Sequence, residues 1–186
     1  GLEYKGTIDP KHLLWIIVED LGMDFFHSKV VRKLEGLKLA PFYGCYLVRP
    51  TEALGFDENP ERETSLEAVI EAVGAEVVDF PGKTLCCGFP ILTINPKNSV
   101  KMVANHTIDA KDRGADAMVT PCPLCHLNLD GYQPNASSAA KRDIDLPIIH
   151  LPQLVGLSLG IDPEKMRLNK HIVSTKKLLS ELAVAP

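Results

Sequence analysis

The residue pattern in this chain that indicates a chemical function is built around two neighbouring cysteines, Cys86 and Cys87. The other three cysteines are Cys45, Cys122 and Cys125, so the pattern Cys-x40-Cys-Cys-Gly-x33-Cys-x2-Cys contains every cysteine of the chain. Neighbouring cysteines can bond to each other only through a strained peptide. Both can donate thiolates to one metal centre, so the pattern favours metal binding.

Five thiolates that converge on one place repel each other, and they require a strong cation or a metal cluster between them. Cysteine-only ligation suits a zinc ion and an iron–sulfur cluster equally well. A structural zinc ion takes four ligands and would leave one thiol unused, so the fifth cysteine favours a cluster. Two alternatives stay open, namely structural zinc and a redox dithiol formed by Cys122 and Cys125.

Composition limits the class of protein. The chain has 186 residues, of which 45% are hydrophobic and 24% charged, as expected for one globular domain. The net charge of −4 and the lack of a basic stripe argue against nucleic-acid binding. The longest apolar run, from Leu13 to Val18, is too short to span a membrane. An odd number of cysteines favours a reducing compartment, so we expect a cytoplasmic protein.

The elements that must position the cysteines follow from apolar spacing and turn residues. Short apolar runs predict strands over 37–43, 75–80, 115–120 and 146–150. Helices are predicted over 9–22 with Asp9 as the N-cap, 24–33, 60–73, 95–113, 121–130, part of 132–145, 151–159 and 175–183. Pro41 argues mildly against a central position for the first strand, because proline cannot donate to the sheet.

Strands that alternate with helices predict an α/β fold, with a mostly parallel sheet of about four strands and helices on both faces. Cys45 follows the first strand, Cys86 and Cys87 follow the second, and Cys122 and Cys125 follow the third. Ligands of open α/β sheets bind outside the carboxyl ends of the strands. We therefore predict a metal site at the C-terminal edge of the sheet.

Three segments carry a family resemblance: residues 43–50, 86–90 and 120–130. In cysteine number, order and flanking residues they resemble the cysteine-rich CCG domain found in the B subunit of heterodisulfide reductase. The similarity covers roughly residues 3–175, and the chain looks like the second (C-terminal) of the two such domains that this family member carries. The first cysteine gap is slightly longer, and the last slightly shorter, than is usual in the family.

The resemblance implies a cofactor and its ligands. It implies a non-cubane [4Fe-4S] cluster, with zinc as the alternative found in some relatives. By motif position, the metal-ligating and catalytic residues would be Cys45, Cys86, Cys87, Cys122 and Cys125. The activity implied is that of an oxidoreductase that reduces or forms a disulfide of small thiol cofactors.

The resemblance also implies partners and an organisation. The partners would be iron–sulfur and flavin-containing reductase subunits. Residues 37–186 would form the CCG domain, and residues 1–36 would form a helical segment that links or contacts a missing first domain. The apolar first helix, with Trp15, would either form an interface to that domain or to a partner subunit, or cover this chain's own sheet. The start at Gly1 is typical of a processed end or a fragment. An electron-transfer or structural module without its own catalysis is the alternative function.

Several side chains lie beside the cysteines in sequence. Arg49 could steady cluster charge or contact an anionic substrate, and Tyr46 could donate to a substrate sulfur. His126 follows Cys125 and could donate to a cluster sulfur, and His150 ends the fourth strand at the same sheet edge. His106 is predicted to lie on the surface of a helix.

Overall fold

The fold is built on a four-stranded parallel sheet, in a computed structural model that describes residues 1–8 and 10–182. The strands are β1 (Lys38–Pro41), β2 (Glu76–Val77), β3 (Ala117–Thr120) and β4 (Ile148–His150), in the spatial order β2-β1-β3-β4. All three strand pairs are parallel. The predicted α/β fold class is confirmed.

The strands are shorter than the apolar runs that predicted them. β2 keeps two residues, although the Val78 amide still donates to the Leu39 carbonyl at 2.9 Å before the chain turns at Pro81. β1 is a central strand despite Pro41. Pro41 is its last residue, and the next amide, that of Phe42, donates to the Val119 carbonyl at 2.8 Å. The missing proline donor therefore costs the sheet little.

Eight α-helices are described, and five 3-10 helices lie between them. The α-helices are α1 (Leu13–Trp15), α2 (Met23–Lys29), α3 (Ser65–Ala72), α4 (Pro96–Asp112), α5 (Pro123–Gly131), α6 (Gln133–Ala140), α7 (Leu151–Ser158) and α8 (Lys176–Glu181). The 3-10 helices are Glu52–Leu54, Pro60–Thr64, Pro81–Thr84, Phe89–Ile91 and Leu168–Lys170. None of the described helices is both long and apolar enough to cross a membrane.

The first predicted helix differs most from the structure. Asp9, its predicted N-cap, lies outside the described residues, as does Ala183 at the end of the last predicted helix. The helix begins at Leu13, where the His12 side chain accepts from the Leu14 amide at 3.1 Å. It then widens into a π-helix over Ile16–Leu21.

Alternate residues of β1, β3 and β4 face two separate apolar cores. Leu39 packs on one face with Leu66 of α3 and Leu154 of α7. Its neighbour Ala40 faces the other core, which contains Val103 of α4. The sheet is therefore covered by helices on both faces, as predicted.

The N-terminal helices belong to the first of these cores. Leu14, Trp15 and Leu34 are buried in the same apolar cluster as Leu39 of β1. Trp15 therefore covers this chain's own sheet, rather than presenting a free face. The domain boundary after residue 36 stays a prediction.

An ion pair fastens the N-terminal segment to the rest of the chain. Glu19 binds Arg62 at 2.5 Å and Lys11 at 2.7 Å, and the Arg62 guanidinium lies 4.1 Å from the centre of the Trp15 ring. The hydrogen bonds from Arg62, the largest effect, lower the pKa of the Glu19 carboxyl. The stability this pair supplies is present above the ordinary glutamate pKa of about 4.3 and is lost as pH falls through the lower folded-state pKa.

We therefore expect Glu19→Gln to lower the free energy of unfolding by about 1 kcal/mol at pH 7. Urea unfolding at neutral and acid pH measures this difference, which should shrink towards zero as Glu19 itself becomes protonated. Glu63→Gln, at an exposed neighbouring position, is the control and should change little. An equal loss at both pH values would contradict a charge-dependent role for Glu19.

Candidate metal centre

Three neighbouring strands deliver the five cysteines to one edge of the sheet. Cys45 lies in the turn after β1, Cys86 and Cys87 follow β2 through the 3-10 helix Pro81–Thr84, and Cys122 and Cys125 begin α5 after β3. Since β2, β1 and β3 are adjacent and parallel, their carboxyl ends lie side by side. All five cysteines are free thiols.

The first two cysteine loops are tied together by backbone and side-chain bonds. The amides of Tyr43 and Gly44 donate to the Lys83 carbonyl at 2.8 and 3.2 Å. The Tyr43 hydroxyl donates to the Glu67 carboxylate, which also accepts from Lys83 Nζ at 2.9 Å. The half-buried carboxylate of Glu67 on α3 thus links the segment before Cys45 to the segment before Cys86.

The third loop closes against the first. An added Cβ at Gly44 would lie 2.6 Å from the Cys125 sulfur, and Gly44 has a positive φ of 71°. Only glycine allows both the left-handed backbone and this close approach of a thiol. Gly44 therefore lets the sulfur of the third loop sit against the backbone of the first.

The thiols fall into two groups of neighbours. Cys45 lies near Cys86, and Cys125 lies near both Cys87 and Cys122. Cys45 also lies close enough to Cys87 for their charges to interact, which joins the two groups. The structure therefore brings together all five cysteines that the sequence singled out.

These contacts separate the pKa values of the thiols. The Cys125 thiol, donating to Cys122, lowers the pKa of Cys122 to about 6, and backbone amides at the start of α5 add to this effect. The same thiol lowers the pKa of Cys87. Hydrogen bonds to these two sulfurs raise the pKa of Cys125, and burial raises that of Cys45. In the metal-free chain, these contacts therefore favour the thiolate form of Cys122.

The donor set fits a thiolate-bound metal group in its chemistry. Five free thiols on three rigidly connected loops are the ligands that iron–sulfur clusters and zinc take. Within residues 1–8 and 10–182, no group of three or more His, Cys, Asp or Glu side chains is placed so that it could hold a metal ion. The metal site and its ligands stay predictions, supported by the convergence of the thiols.

Two buried side chains hold the carbonyls of the double cysteine, and the sequence pattern did not reveal either. His106 Nε2 contacts the Cys86 carbonyl at 2.9 Å, and Asn128 Nδ2 donates to the Cys87 carbonyl at 2.8 Å. The prediction that His106 lies on the helix surface is wrong, because it is 7% exposed and its ring packs 5.1 Å from that of Phe42. Burial lowers the pKa of His106.

Helical spacing was the signal that could have found both residues. His106 lies three positions after Val103, which faces the core from α4, and Asn128 lies three positions after Cys125 on α5. Residues three apart share a helix face. The spacing thus places each side chain on the buried side of its helix.

Two histidines approach the carbonyl that precedes Cys122. His12 Nε2 and His150 Nε2 each lie 3.3 Å from the Pro121 oxygen. Burial lowers the pKa of both rings. His150 therefore lies beside a cysteine loop, as its place at the end of β4 suggested. His126 instead contacts the Ile148 carbonyl at 3.1 Å, so a role as donor to a cluster sulfur stays a prediction.

An open cavity of about 680 Å3 lies beside the first cysteine. Tyr46 is 61% exposed in it and stands next to Cys45. The lining residues are Cys45, Tyr46, Arg49, Pro50, Thr51 and Glu52. A small molecule in this cavity would meet a thiol, a phenol and a guanidinium within one loop.

Residues 39–130, which include all five cysteines, match the family model described as CCG, cysteine-rich domain. The chain is 39% identical over 178 residues to the 8-methylmenaquinol:fumarate reductase membrane anchor subunit of Wolinella succinogenes, covering 96% of this chain and 62% of that protein. It is 29% identical over 184 residues to the B subunit of the ferredoxin/F(420)H(2)-dependent CoB-CoM heterodisulfide reductase of Methanosarcina acetivorans, covering 98% and 61%.

A third relative, from Archaeoglobus profundus, is named as a protein like the B subunit of heterodisulfide reductase. It is 30% identical over 169 residues, covering 89% of this chain and 56% of that protein. The chain therefore spans about six tenths of the length of the curated relatives it matches. The resemblance noted from the cysteine motifs is confirmed: residues 39–130 match the cysteine-rich CCG domain, and the homologues of the chain include the B subunit of heterodisulfide reductase.

Proposed function

We propose that this chain is the iron–sulfur module of a heterodisulfide reductase-like complex. Its cluster would be a non-cubane [4Fe-4S] group held by Cys45, Cys86, Cys87, Cys122 and Cys125. The observation that carries the proposal is the convergence of five free thiols from three adjacent strand ends. The heterodisulfide reductase subunits among its relatives support the same reaction class.

The reaction proposed is the two-electron reduction of a small disulfide. One S–S bond breaks, two electrons and two protons are taken up, and two thiols form; in the opposite direction the same bond is made. When bound, an iron–sulfur cluster supplies single electrons and an iron position that a thiolate sulfur can occupy. The electrons would come from iron–sulfur and flavin-containing partner subunits, in the cytoplasm.

The chain's own residues would bind and orient the substrate. The open cavity beside Cys45 is large enough for a small thiol. The Tyr46 hydroxyl there can donate to a sulfur, and the Arg49 guanidinium can bind an anionic group of the same molecule. Both side chains stand on the turn that carries Cys45, so they would hold the substrate sulfur beside the metal group.

A second candidate is an electron-transfer module without catalysis of its own. The relative in Wolinella succinogenes is named as part of a menaquinol:fumarate reductase, whose named reaction involves no disulfide. In that case the five cysteines would hold a cluster that passes electrons between subunits. If the cysteines held a structural zinc ion instead, the chain would neither reduce a disulfide nor transfer electrons.

Spectroscopy of the reconstituted chain under exclusion of oxygen distinguishes these candidates. The chain is loaded with iron and sulfide, and its visible and electron paramagnetic resonance spectra are recorded with and without 2-mercaptoethanesulfonate, a small anionic thiol. Under the leading proposal the thiol changes the spectra, and Arg49→Gln weakens that response. A cluster whose spectra do not change when thiols or disulfides are added would favour the electron-transfer module.

A further inference from the structure

We propose that His106 and Asn128 are positioning residues that set the direction of the Cys87 thiol relative to that of its neighbour Cys86. The inference rests on the proposed metal-binding role of the cysteines. Each side chain holds one carbonyl of the pair, at 2.9 Å for His106 and Cys86 and at 2.8 Å for Asn128 and Cys87. Neither residue belongs to the cysteine pattern.

These two carbonyls define the backbone of Cys87. The Cys86 carbonyl belongs to the peptide group before the Cys87 Cα, and the Cys87 carbonyl belongs to the peptide group after it. Each peptide group is planar, so the orientation of the two planes fixes φ and ψ of the residue between them. Those two angles determine where the Cα–Cβ bond, and with it the thiol of Cys87, is directed.

Such a constraint is needed because adjacent side chains diverge. In extended backbone, successive Cβ atoms point to opposite sides. Two neighbouring thiols can therefore serve one metal group only where the peptide between them is held in a particular orientation. The Gly88 amide lies 3.4 Å from the Cys86 sulfur, which shows that the segment is tightly turned.

The surroundings of His106 leave room for its ring. An added Cβ at Gly82 would lie 2.6 Å from His106 Nδ1, so only glycine leaves room for the ring. Because Nε2 bonds to a carbonyl, it carries the proton of the neutral ring. The hydrogen bond therefore requires this tautomer, in which Nδ1 faces the loop without a proton.

Asn128 is fully buried, and a residue chosen for packing alone would not be an asparagine. Its amide also donates to Ser99 Oγ at 3.3 Å, whereas its Oδ1 has no hydrogen-bond partner in the described part of the chain. A buried acceptor without a partner lowers stability. The hydrogen bond from Asn128 Nδ2 to the Cys87 carbonyl explains why an amide occupies this buried position.

Binding of Co²⁺ to the metal-free chain tests this role, because its thiolate absorption reports ligation by cysteine whether the native group is a cluster or zinc. The variants are His106→Leu, Asn128→Leu and His106→Gln, whose amide can donate from the position of Nε2. Gln133→Leu is the matched control. Gln133 is 1% exposed and donates to the Leu146 carbonyl at 2.9 Å, on α6 and outside the cysteine loops.

We expect His106→Leu and Asn128→Leu to weaken Co²⁺ binding roughly 10- to 100-fold, the usual effect of losing a group that orients a metal ligand. His106→Gln should recover most of the affinity. Gln133→Leu should lower the melting temperature of the metal-free chain as much as Asn128→Leu does, yet bind Co²⁺ like the unchanged chain.

Unchanged affinity in both leucine variants, or an equal loss in Gln133→Leu, would overturn the positioning role. If the unchanged chain binds no Co²⁺, this role falls together with the metal-binding role of the cysteines. A chain that binds Co²⁺ but assembles no cluster would overturn only the proposed function, and the comparison of variants would still decide the positioning role.

Discussion

With serine in place of Cys87, the chain should lose most of the iron and sulfide that it otherwise retains after reconstitution without oxygen. Cys87 is 3% exposed and lies near both Cys125 and Cys45, so it stands between the two groups of thiols. A serine hydroxyl stays protonated at neutral pH in the absence of metal, and its oxygen is a much poorer ligand for cluster iron than a cysteine thiolate. Iron and sulfide analysis with the visible spectrum measures the loss.

The control for this variant is Ala136→Ser. Ala136 is fully buried in the apolar core that also contains Cys87. The Ala136→Ser variant gains the same hydroxyl group but loses no thiol. The variant chain should therefore be less stable and should still retain its iron. A full complement of iron and sulfide in Cys87→Ser would exclude this cysteine as a ligand.

The second large effect is expected for Gly44→Ala. The left-handed backbone, with φ of 71°, costs an alanine about 1–2 kcal/mol. The new methyl group would also meet the Cys125 sulfur at 2.6 Å. Because backbone and thiol cannot both stay in place, the third loop should shift away from the first, and iron retention should fall along with stability.

Gly36→Ala separates these two causes. Gly36 has φ of 88°, and an added Cβ there would meet nothing within 4 Å. Urea unfolding should show a lower free energy of unfolding for Gly36→Ala, caused by backbone strain alone. Iron analysis should show that this variant retains its iron, whereas Gly44→Ala loses iron as well as stability. If the two variants retain equal amounts of iron, the contact between Gly44 and Cys125 has no part in the metal centre.

The convergence of the cysteines could be predicted because it depends on few steps. Helices between strands predict a parallel sheet, and parallel strands end at one edge. Cys45, Cys86 and Cys122 each follow a strand, so their meeting needs no knowledge of side-chain packing. The same logic placed His150 beside the Cys122 loop.

The groups that hold the cysteine loops could not be predicted in this way. The bond from Asn128 to the Cys87 carbonyl depends on where α5 passes the double cysteine, and that of His106 depends on where α4 passes it. Helical spacing identifies a buried face but not its partner. The π-helix at Ile16–Leu21 and the short β2 likewise result from packing and turns that local spacing does not record.

Metal and sulfide content of the chain, purified without oxygen and recorded with its ultraviolet–visible spectrum, tests the central claim most directly. The five-thiolate centre predicts about four irons and four sulfides per chain, together with broad visible absorption. About one zinc per chain, persisting after reconstitution with iron and sulfide, would contradict it and leave a structural metal module.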